Sequence, residues 1–224
     1  MPRYRRGFDI DEAQAHLQRV DKRLAGWMRR IGPLPAPPGW ARSFDPVDAL
    51  ARAILFQQLS GKAASTIVGR VEAAIGGKRL HAASLDLIDD PGLRACGVSG
   101  NKALALRDLA QRERAGELPG LRQMSVMDHQ SIVDALVAVR GIGRWTVEMM
   151  LMFRLGRPDI LPIDDLGIRK GAQRVDGSET MLTPKALAER GERWGPYRTW
   201  ASLYLWRIAD FSVDPRQKTN RSQD

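Results

Sequence analysis

The feature that most constrains the fold of this 224-residue chain is its apolar spacing, which follows the period of an α-helix from residue 46 onward. In PVDALARAILFQQLS, Val47, Leu50 and Ile54 fall on one stripe, and Pro46 suits a first helical turn. Alternating apolar and polar runs bounded by turns, which would indicate β-strands, are missing. The sequence therefore predicts an all-α fold.

Further segments follow the same helical period. A helix begins at residue 61 and ends at the Gly76-Gly77 pair, and others are predicted over residues 99–115, 129–139, 144–155, 165–175, 184–194 and 196–211. The stretch IGPLPAPPGW contains four prolines and is incompatible with a helix. We interpret it as an ordered or semi-rigid connector between an N-terminal helix and the rest of the chain.

Composition favours a basic protein of a reducing compartment. Lys and Arg number 35 against 26 Asp and Glu, and the resulting charge of +9 suits nucleic acid, although a merely basic protein would share it. Cys96 is the only cysteine, which excludes an intrachain disulfide and a four-cysteine zinc or iron–sulfur site. No signal-peptide pattern and no apolar run of about 18 residues occurs. We therefore expect a cytoplasmic protein outside the membrane.

Two glycines stand at the entrance of a predicted helix. In VAVRGIGRWTVEMM, Gly141 and Gly143 flank Ile142, between a helix ending near Val139 and one beginning at Arg144. Glycines in such a tight turn allow positive φ and a close approach of the backbone to another surface. The N–H groups that open the second helix suit a phosphate. An ordinary helix–helix turn also uses glycine, so this motif alone leaves both interpretations open.

Two carboxylates lie at the start of a later predicted helix. Asp164 and Asp165 occur in DILPIDDLGIRKG, at a position where aspartate is also a preferred N-cap residue. The helix dipole favours a negative charge there. An ionised carboxylate stabilises a developing oxocarbenium ion, which is what breaking a glycosidic bond requires. Capping and catalysis are therefore both compatible with Asp165.

The motifs L-x-x-V-R-G-I-G-R-W-T and LPIDDLGIRKG together resemble the helix-hairpin-helix (HhH-GPD) DNA glycosylase superfamily, and most of all its bacterial 3-methyladenine DNA glycosylase II branch. AILFQQLSGKAA, GVSGNKALALRDLA and RWGPYRTWASLYLWR extend the resemblance over residues 44–207. It implies a two-lobed helical fold with the active site in the cleft between the lobes. The lobes are expected at residues 1–59 with 176–211 and at residues 60–175, followed by a disordered tail at 212–224.

The resemblance assigns DNA backbone contacts to the hairpin. The matching residues are Gly141, Ile142, Gly143, Arg144 and Thr146. Members of the family often hold a monovalent cation with hairpin carbonyls, and the corresponding carbonyls are those of Val137, Val139 and Gly141. The resemblance implies no redox cofactor, nucleotide cofactor or iron–sulfur cluster.

The essential aspartate of the family matches Asp165, and Asp164 matches a less critical neighbour. The implied role of Asp165 is to stabilise the oxocarbenium character of the sugar and to orient the attacking water. Bifunctional relatives such as endonuclease III carry a lysine where this chain has Trp145, and an indole cannot form their Schiff base. The resemblance therefore implies a monofunctional enzyme that releases a free base and leaves an abasic site.

An enzyme that acts on a base in duplex DNA must flip the nucleotide out of the stack. The wedge of the family, which fills the gap, matches Gln58 and Leu59 in FQQLSG. The alternative is that Leu59 packs in the core and that Gln58 caps the preceding helix. Lys102 stands at another predicted helix start, where it would meet phosphate, although a solvated lysine fits equally well.

Electron-poor alkylated purines favour contact with aromatic faces. The base pocket that the resemblance implies consists of Phe56, Trp145, Met149, Leu166 and Trp206. The best-known members have tyrosine where this chain has Met149 and Leu166, which leaves the substrate range open. Core positions are the preferred interpretation for Trp27, Trp40, Trp194 and Trp200.

The predicted function is excision of alkylated purines, of the 3-methyladenine type, from double-stranded DNA. The enzyme is expected to be a monomer in the bacterial cytoplasm, associated with the nucleoid. One alternative is a module of the same hairpin class that binds distorted DNA without catalysis. Another is a glycosylase for oxidised or deaminated bases, which the identity of the released base distinguishes.

Overall fold

A computed structural model describes residues 6–212, and within that range the chain forms thirteen α-helices, two short 3-10 helices and no β-strand. The α-helices are α1 (Ile10–Val20), α2 (Lys22–Ile31), α3 (Pro46–Phe56), α4 (Gly61–Ala74), α5 (Ala82–Leu85), α6 (Asp90–Ala95), α7 (Gly100–Arg114), α8 (Leu121–Met124), α9 (His129–Val137), α10 (Arg144–Phe153), α11 (Leu166–Asp176), α12 (Pro184–Gly191) and α13 (Arg198–Asp210). The 3-10 helices are Pro38–Ala41 and Glu192–Trp194. The all-α prediction is confirmed, and none of these helices is long and apolar enough to cross a bilayer. The predicted disordered tail lies outside the described residues from residue 213 onward.

Short polar side chains begin most of the helices. Those that accept hydrogen bonds from the first turn belong to Asp9, Asp21, Asp45, Ser60, Asp89, Asp128, Asp165 and Thr183. Such N-caps satisfy N–H groups that the helix itself leaves unpaired, which explains why most of the predicted helix starts agree with the structure. The segment before the proline-rich connector contains two helices, α1 and α2. Asp21 ends α1, and its carboxylate accepts from Leu24 N at 3.1 Å to begin α2.

Residues 38–156, together with residue 6, form one compact unit. Helices α3, α5 and α6 pack against α7, whose Leu106 and Leu109 are fully buried. Burial of each such side chain stabilises the fold by about 1.5–3 kcal/mol. Helices α9 and α10 pack against each other, and α3 packs against α4. This unit therefore holds both the glycine-containing hairpin and the turn that links α3 to α4.

Residues 7–37 and 157–212 form the second compact unit. Helices α11 and α13 make its most extensive contact, and α1 and α2 also pack on α13. A Cβ atom on Gly171 of α11 would lie 2.1 Å from the backbone oxygen of Leu205 of α13. Only glycine allows the two backbones to approach this closely. The crossing fixes the position of α11, and with it the candidate catalytic residue at its N-terminus.

The predicted lobe boundaries differ from these two units. Sequence reasoning groups α3 with the chain ends and α11 with the hairpin, whereas α3 packs on α7 and α11 packs on α13. The unit boundaries follow residues 37 and 156 instead of residues 59 and 175. These contacts join segments far apart in the sequence, and local periodicity does not report such pairings.

Three of the four tryptophans assigned to the core are buried, and one is not. Trp40, Trp194 and Trp200 are at most 9% exposed. Trp27 is only half-buried, with its ring edge-on to Phe211 at 5.8 Å between centroids. The amphipathic indole suits such a partly wet position, so its core assignment was wrong.

Candidate active site

The hairpin between α9 and α10 forms as predicted, but its two glycines have different backbone conformations. Gly141 adopts a φ of +79°, and a Cβ there would meet only the Ala105 side chain at 3.5 Å. The positive φ, and not lack of space, therefore favours glycine at 141. Gly143 has a φ of −92°, so the expectation of positive φ was wrong there. Nothing lies within 4 Å of a Cβ on Gly143, so its missing side chain leaves the start of α10 open.

The N-terminus of α10 has no side-chain cap. Its N–H groups and the positive end of the helix dipole are therefore arranged as an anion site requires. Arg144 is exposed, and its guanidinium donates to Glu148 Oε1 at 3.1 Å and to Gln130 Oε1 at 3.2 Å. Thr146 is half-buried one turn into α10. The Ile142 side chain is only 4% exposed, so this residue can offer a ligand little besides its backbone.

The three hairpin carbonyls predicted to hold a monovalent cation are already partly engaged. Gly141 O accepts a hydrogen bond from Gln57 Nε2 at 2.8 Å, and Val139 O accepts one from Ile142 N at 3.0 Å. Val137 ends α9. A carbonyl oxygen has two lone pairs and can accept a hydrogen bond and contact a cation at the same time, so the cation site stays a prediction. No step proposed for the reaction depends on such an ion.

The turn between α3 and α4 exposes apolar side chains. Phe56 is 40% exposed and Leu59 is 39% exposed, which contradicts the alternative that Leu59 packs in the core. Gln58, between them, has a φ of +56° and is the one non-glycine residue with positive φ in the described range. This left-handed conformation costs about 1 kcal/mol or more for a residue with a Cβ. The chain therefore maintains a strained turn that presents apolar surface.

Lys102 does not point toward solvent or toward an external phosphate. Its ammonium donates to Leu55 O at 2.8 Å and to Gln57 O at 2.7 Å, at the C-terminal end of α3. Burial lowers the pKa of Lys102. Both alternatives considered from the sequence, phosphate binding and free solvation, are therefore replaced by a contact inside the protein.

Asp165 is the N-cap of α11 and is held by two donors. Its Oδ1 accepts from Ile168 N at 2.9 Å and from Trp206 Nε1, on α13, at 2.8 Å. Two donors that converge on one carboxylate oxygen fix the orientation of the side chain. Asp164, its neighbour, is exposed. Capping is thus confirmed for Asp165, and the same contacts hold its carboxylate in one orientation.

Leu166 and Trp206 lie beside Asp165, as the predicted pocket requires. Leu166 is 64% exposed directly after the carboxylate. A Cβ atom on Gly167 would lie 2.8 Å from Cδ1 and 3.1 Å from Nε1 of Trp206. The indole therefore rests against the backbone of Gly167, and the missing side chain there lets it reach Asp165.

Trp145 and Met149 lie one turn apart on α10 in the unit of residues 38–156. Trp145 is 50% exposed and Met149 is half-buried. With Phe56 they provide the apolar candidates of that unit, whereas Leu166 and Trp206 belong to the unit of residues 7–37 and 157–212. The five-residue base pocket stays a prediction.

Two residues of interest were missed by sequence reasoning. Gln57 joins the α3–α4 turn to the hairpin through Gly141 O, and it lies in the FQQLSG motif beside the predicted wedge residues Gln58 and Leu59. Arg140 lies exposed in the hairpin, and its backbone N donates to Asp108 Oδ2 at 2.7 Å. Its place in the R-G-I-G motif was the available signal. Within residues 6–212, no group of three or more His, Cys, Asp and Glu side chains is arranged to hold a metal ion.

The sequence model of HhH-GPD superfamily base excision DNA repair proteins matches residues 51–196 of this chain. The chain belongs to the HhH-GPD superfamily. The matched range contains the α3–α4 turn, Lys102, the hairpin and Asp165. The family predicted from the sequence motifs is confirmed.

HhH-GPD relatives match nearly the whole length of the chain. DNA-3-methyladenine glycosylase 1 of Schizosaccharomyces pombe is 30% identical over 213 residues, which is 93% of this chain and 93% of that protein. The solved structure of a Schizosaccharomyces pombe 3-methyladenine DNA glycosylase in complex with abasic DNA has a TM-score of 0.77 at 30% identity and covers 90% of this chain and 98% of that one. DNA-3-methyladenine glycosidase from Bacillus halodurans has a TM-score of 0.80 at 33% identity and covers 94% and 93%.

Proposed function

We propose that this protein is a monofunctional DNA glycosylase that excises alkylated purines of the 3-methyladenine type from duplex DNA. Relatives that this chain matches over nearly their whole length are named DNA-3-methyladenine glycosylase or glycosidase. One of them was solved with abasic DNA, the product of base excision. The observation that carries the proposal in this chain is the double hydrogen bond that fixes Asp165 beside exposed apolar surface.

Asp165 acts on the sugar. As the bond between C1′ and the base nitrogen breaks, its electrons leave with the base and C1′ becomes positively charged. The fixed carboxylate stabilises this charge without reorganising, which is the condition for strong electrostatic catalysis. A water molecule then adds its oxygen to C1′ and gives up a proton to the solvent, and the products are the free base and an abasic site.

The substrate class follows from what this arrangement offers the leaving base. An alkylated purine that carries a positive charge becomes neutral when it takes the bonding electrons, so its departure needs no general acid. Such electron-poor rings stack on exposed indoles, with cation–π attraction of about 0.5–2 kcal/mol. Trp145 is half exposed and is suited to this contact. It has no amine, so a Schiff base with the sugar, and the strand cleavage that follows one, cannot occur there.

Binding to DNA is assigned to the basic surface and to the hairpin. The net charge of +9 favours a polyanion, and the open start of α10 offers backbone N–H groups to a phosphate. Water is the only co-reactant, and no redox or nucleotide cofactor takes part. A monomer acting on genomic DNA in the cytoplasm belongs to the same proposal, and light scattering with and without a short duplex checks the stoichiometry.

The deciding experiment compares Asp165→Asn with Asp164→Asn. Asparagine caps a helix as well as aspartate does and keeps an oxygen for Ile168 N and Trp206 Nε1, so Asp165→Asn removes the charge and preserves the fold. Asp164→Asn removes a neighbouring exposed charge and is the matched control. Release of methylated purines from methylated duplex DNA is followed by chromatography, and strand cleavage is followed with and without alkali.

We expect Asp165→Asn to slow base release by at least about a hundredfold while affinity for duplex DNA is retained. Asp164→Asn should stay near wild type, and strands should break only after alkali. Equal release by wild type and Asp165→Asn would refute the catalytic assignment. Release of oxidised or deaminated bases instead would correct the substrate class. A wild-type protein that binds distorted duplex but releases no base would be a binding module.

A further inference from the structure

Two polar side chains, those of Lys102 and Gln57, hold the turn between α3 and α4. From α7, Lys102 reaches the last carbonyls of α3, Leu55 O and Gln57 O, at 2.8 and 2.7 Å. A helix leaves its final carbonyls unpaired, and the negative end of its dipole attracts a cation. The ammonium therefore fixes the point at which the chain leaves α3.

A second hydrogen bond connects the α3–α4 turn to the hairpin. The Gln57 side chain donates from Nε2 to Gly141 O at 2.8 Å. Gly141 is the hairpin residue with a positive φ. The turn and the hairpin lie in the same compact unit, and this bond makes the position of one depend on the position of the other.

Gln58 and Leu59 follow Gln57 directly and combine a strained backbone with an exposed apolar side chain. Gln58 is in the left-handed conformation, and Leu59 presents an apolar side chain that is 39% exposed. Strain of about 1 kcal/mol or more persists only where the surrounding structure enforces it. Lys102 and Gln57 provide that enforcement, because Lys102 binds the carbonyls of Leu55 and Gln57, and the Gln57 side chain, next to Gln58, is tied to Gly141 O.

We propose that Lys102 and Gln57 are positioning residues for base flipping, which hold the Gln58–Leu59 turn rigidly at a fixed place relative to the hairpin. The hairpin binds the DNA backbone, and the turn enters the stack where a nucleotide leaves it. Because the link is rigid, the point where the turn enters the stack lies at a fixed distance along the duplex from the point where the hairpin binds the backbone. This inference rests on the proposed function, and it assigns to Lys102 a role different from phosphate contact.

The test measures unstacking directly and does not need base release. A duplex carries an alkylated purine on a 2′-fluoro sugar, which resists loss of the base because the fluorine disfavours positive charge at C1′. A 2-aminopurine beside it gains fluorescence when the stack opens. The variants are Lys102→Met, Lys102→Arg and Gln57→Leu, and Lys78→Met is the control, because it removes one exposed positive charge from the same unit.

We expect Lys102→Met and Gln57→Leu to slow the fluorescence rise by about tenfold or more, since a displacement of about 1 Å is enough for such losses. Their affinity for undamaged duplex should match that of Lys78→Met, because the phosphate contacts remain. Lys102→Arg, which keeps donors and charge, should recover part of the rate. Removing the apolar tip with Leu59→Ala should also slow the rise, and adding Lys102→Met to it should slow it little further, because both act on one step.

Failure of this inference is distinguishable from failure of the proposed function. Variants that unstack the duplex as fast as Lys78→Met would refute the positioning role even if wild type excises methylated purines. A wild-type protein that neither unstacks the duplex nor differs from Leu59→Ala would refute it as well. Unstacking by wild type without base release would leave the positioning role supported and would refute the glycosylase proposal. Should Lys102→Met fold poorly, Gln57→Leu, which keeps both lysine bonds, decides the question.

Discussion

Alanine substitutions at three helical glycines, which differ in the space around the added methyl group, test how the structure holds Asp165. Each is changed to alanine, which stabilises an exposed helix interior by about 0.5–1 kcal/mol when nothing obstructs the new methyl group. At Gly69 of α4 nothing lies within 4 Å of the added Cβ, so Gly69→Ala should raise the free energy of unfolding by that amount. At Gly171 the Cβ would lie 2.1 Å from a backbone oxygen of α13, so Gly171→Ala should lower it by about 3 kcal/mol.

Gly167→Ala falls between these extremes and is the informative variant. Its Cβ would lie 2.8 Å from Trp206 Cδ1 and 3.2 Å from Asp165 Oδ1, so the indole must move away from the carboxylate. Loss of a hydrogen bond to a charged group costs about 1.5–3 kcal/mol, and the gain in helix propensity offsets up to about 1 kcal/mol. We therefore expect a net loss of about 1 kcal/mol. Base release should fall far more, by about a hundredfold, because the catalytic oxygen is displaced.

The measurements are urea unfolding, single-turnover base release and the NMR resonance of the Trp206 indole N–H, assigned with Trp206→Phe. Gly167→Ala should shift that resonance, and Gly69→Ala should not. Trp206→Phe should reduce base release to a similar extent, because it removes the same donor. If Gly167→Ala retains the wild-type rate and an unshifted indole signal, the packing of Trp206 does not orient Asp165, and the reasoning fails.

Two further predictions concern stability. Asp21 is buried, and its carboxylate accepts from Leu24 N, Trp194 Nε1 and the Arg190 guanidinium. Burial alone would raise the pKa of Asp21, but these hydrogen bonds outweigh burial and lower the pKa. Its charge therefore stabilises the fold above the unfolded pKa of about 4 and loses this effect as the pH falls through the lowered value. Asp21→Asn should cost about 3 kcal/mol at pH 7 and progressively less below pH 4 in urea unfolding, and a pH-independent cost would contradict this. Gln58→Gly should raise the free energy of unfolding by about 0.5–1 kcal/mol, because glycine relieves the positive φ, and an unchanged unfolding midpoint would show that the turn holds no strain.

The helices were predictable because their signals are local. Apolar spacing marks the buried faces, and aspartate, serine or threonine at N-cap positions marks the starts, as at Asp45 and Thr183. The arrangement of the helices was not predictable in the same way. Which helix α3 or α11 packs against depends on contacts between residues far apart in the sequence, so the boundaries of the predicted lobes differ from those of the two compact units.

The candidate site shows the same difference between what local motifs predict and what packing decides. Gly141, Asp165 and Leu59 were chosen from short motifs, and the structure gives each a local geometry compatible with its predicted role. Lys102 and Ile142 came from the same motifs, yet the lysine turns inward to the end of α3 and the isoleucine is buried. A motif identifies a position in the family, but only packing decides whether its side chain faces solvent.

Exposed apolar surface is a feature that several of the predicted site residues share. Eight large apolar side chains are exposed in residues 6–212, and four of them belong to residues predicted to contact the flipped base or to act as the wedge, namely Phe56, Leu59, Trp145 and Leu166. Each sits at or beside a helix end, where the next residues are Gln57, Ser60, Thr146 and Gly167. Apolar surface left in water forgoes about 25 cal/mol per Å² of stabilisation, so a fold selected for stability alone would cover it. A base lifted out of a duplex must exchange its stacking partners for others, and exposed apolar side chains at rigid helix ends are suited to replace them.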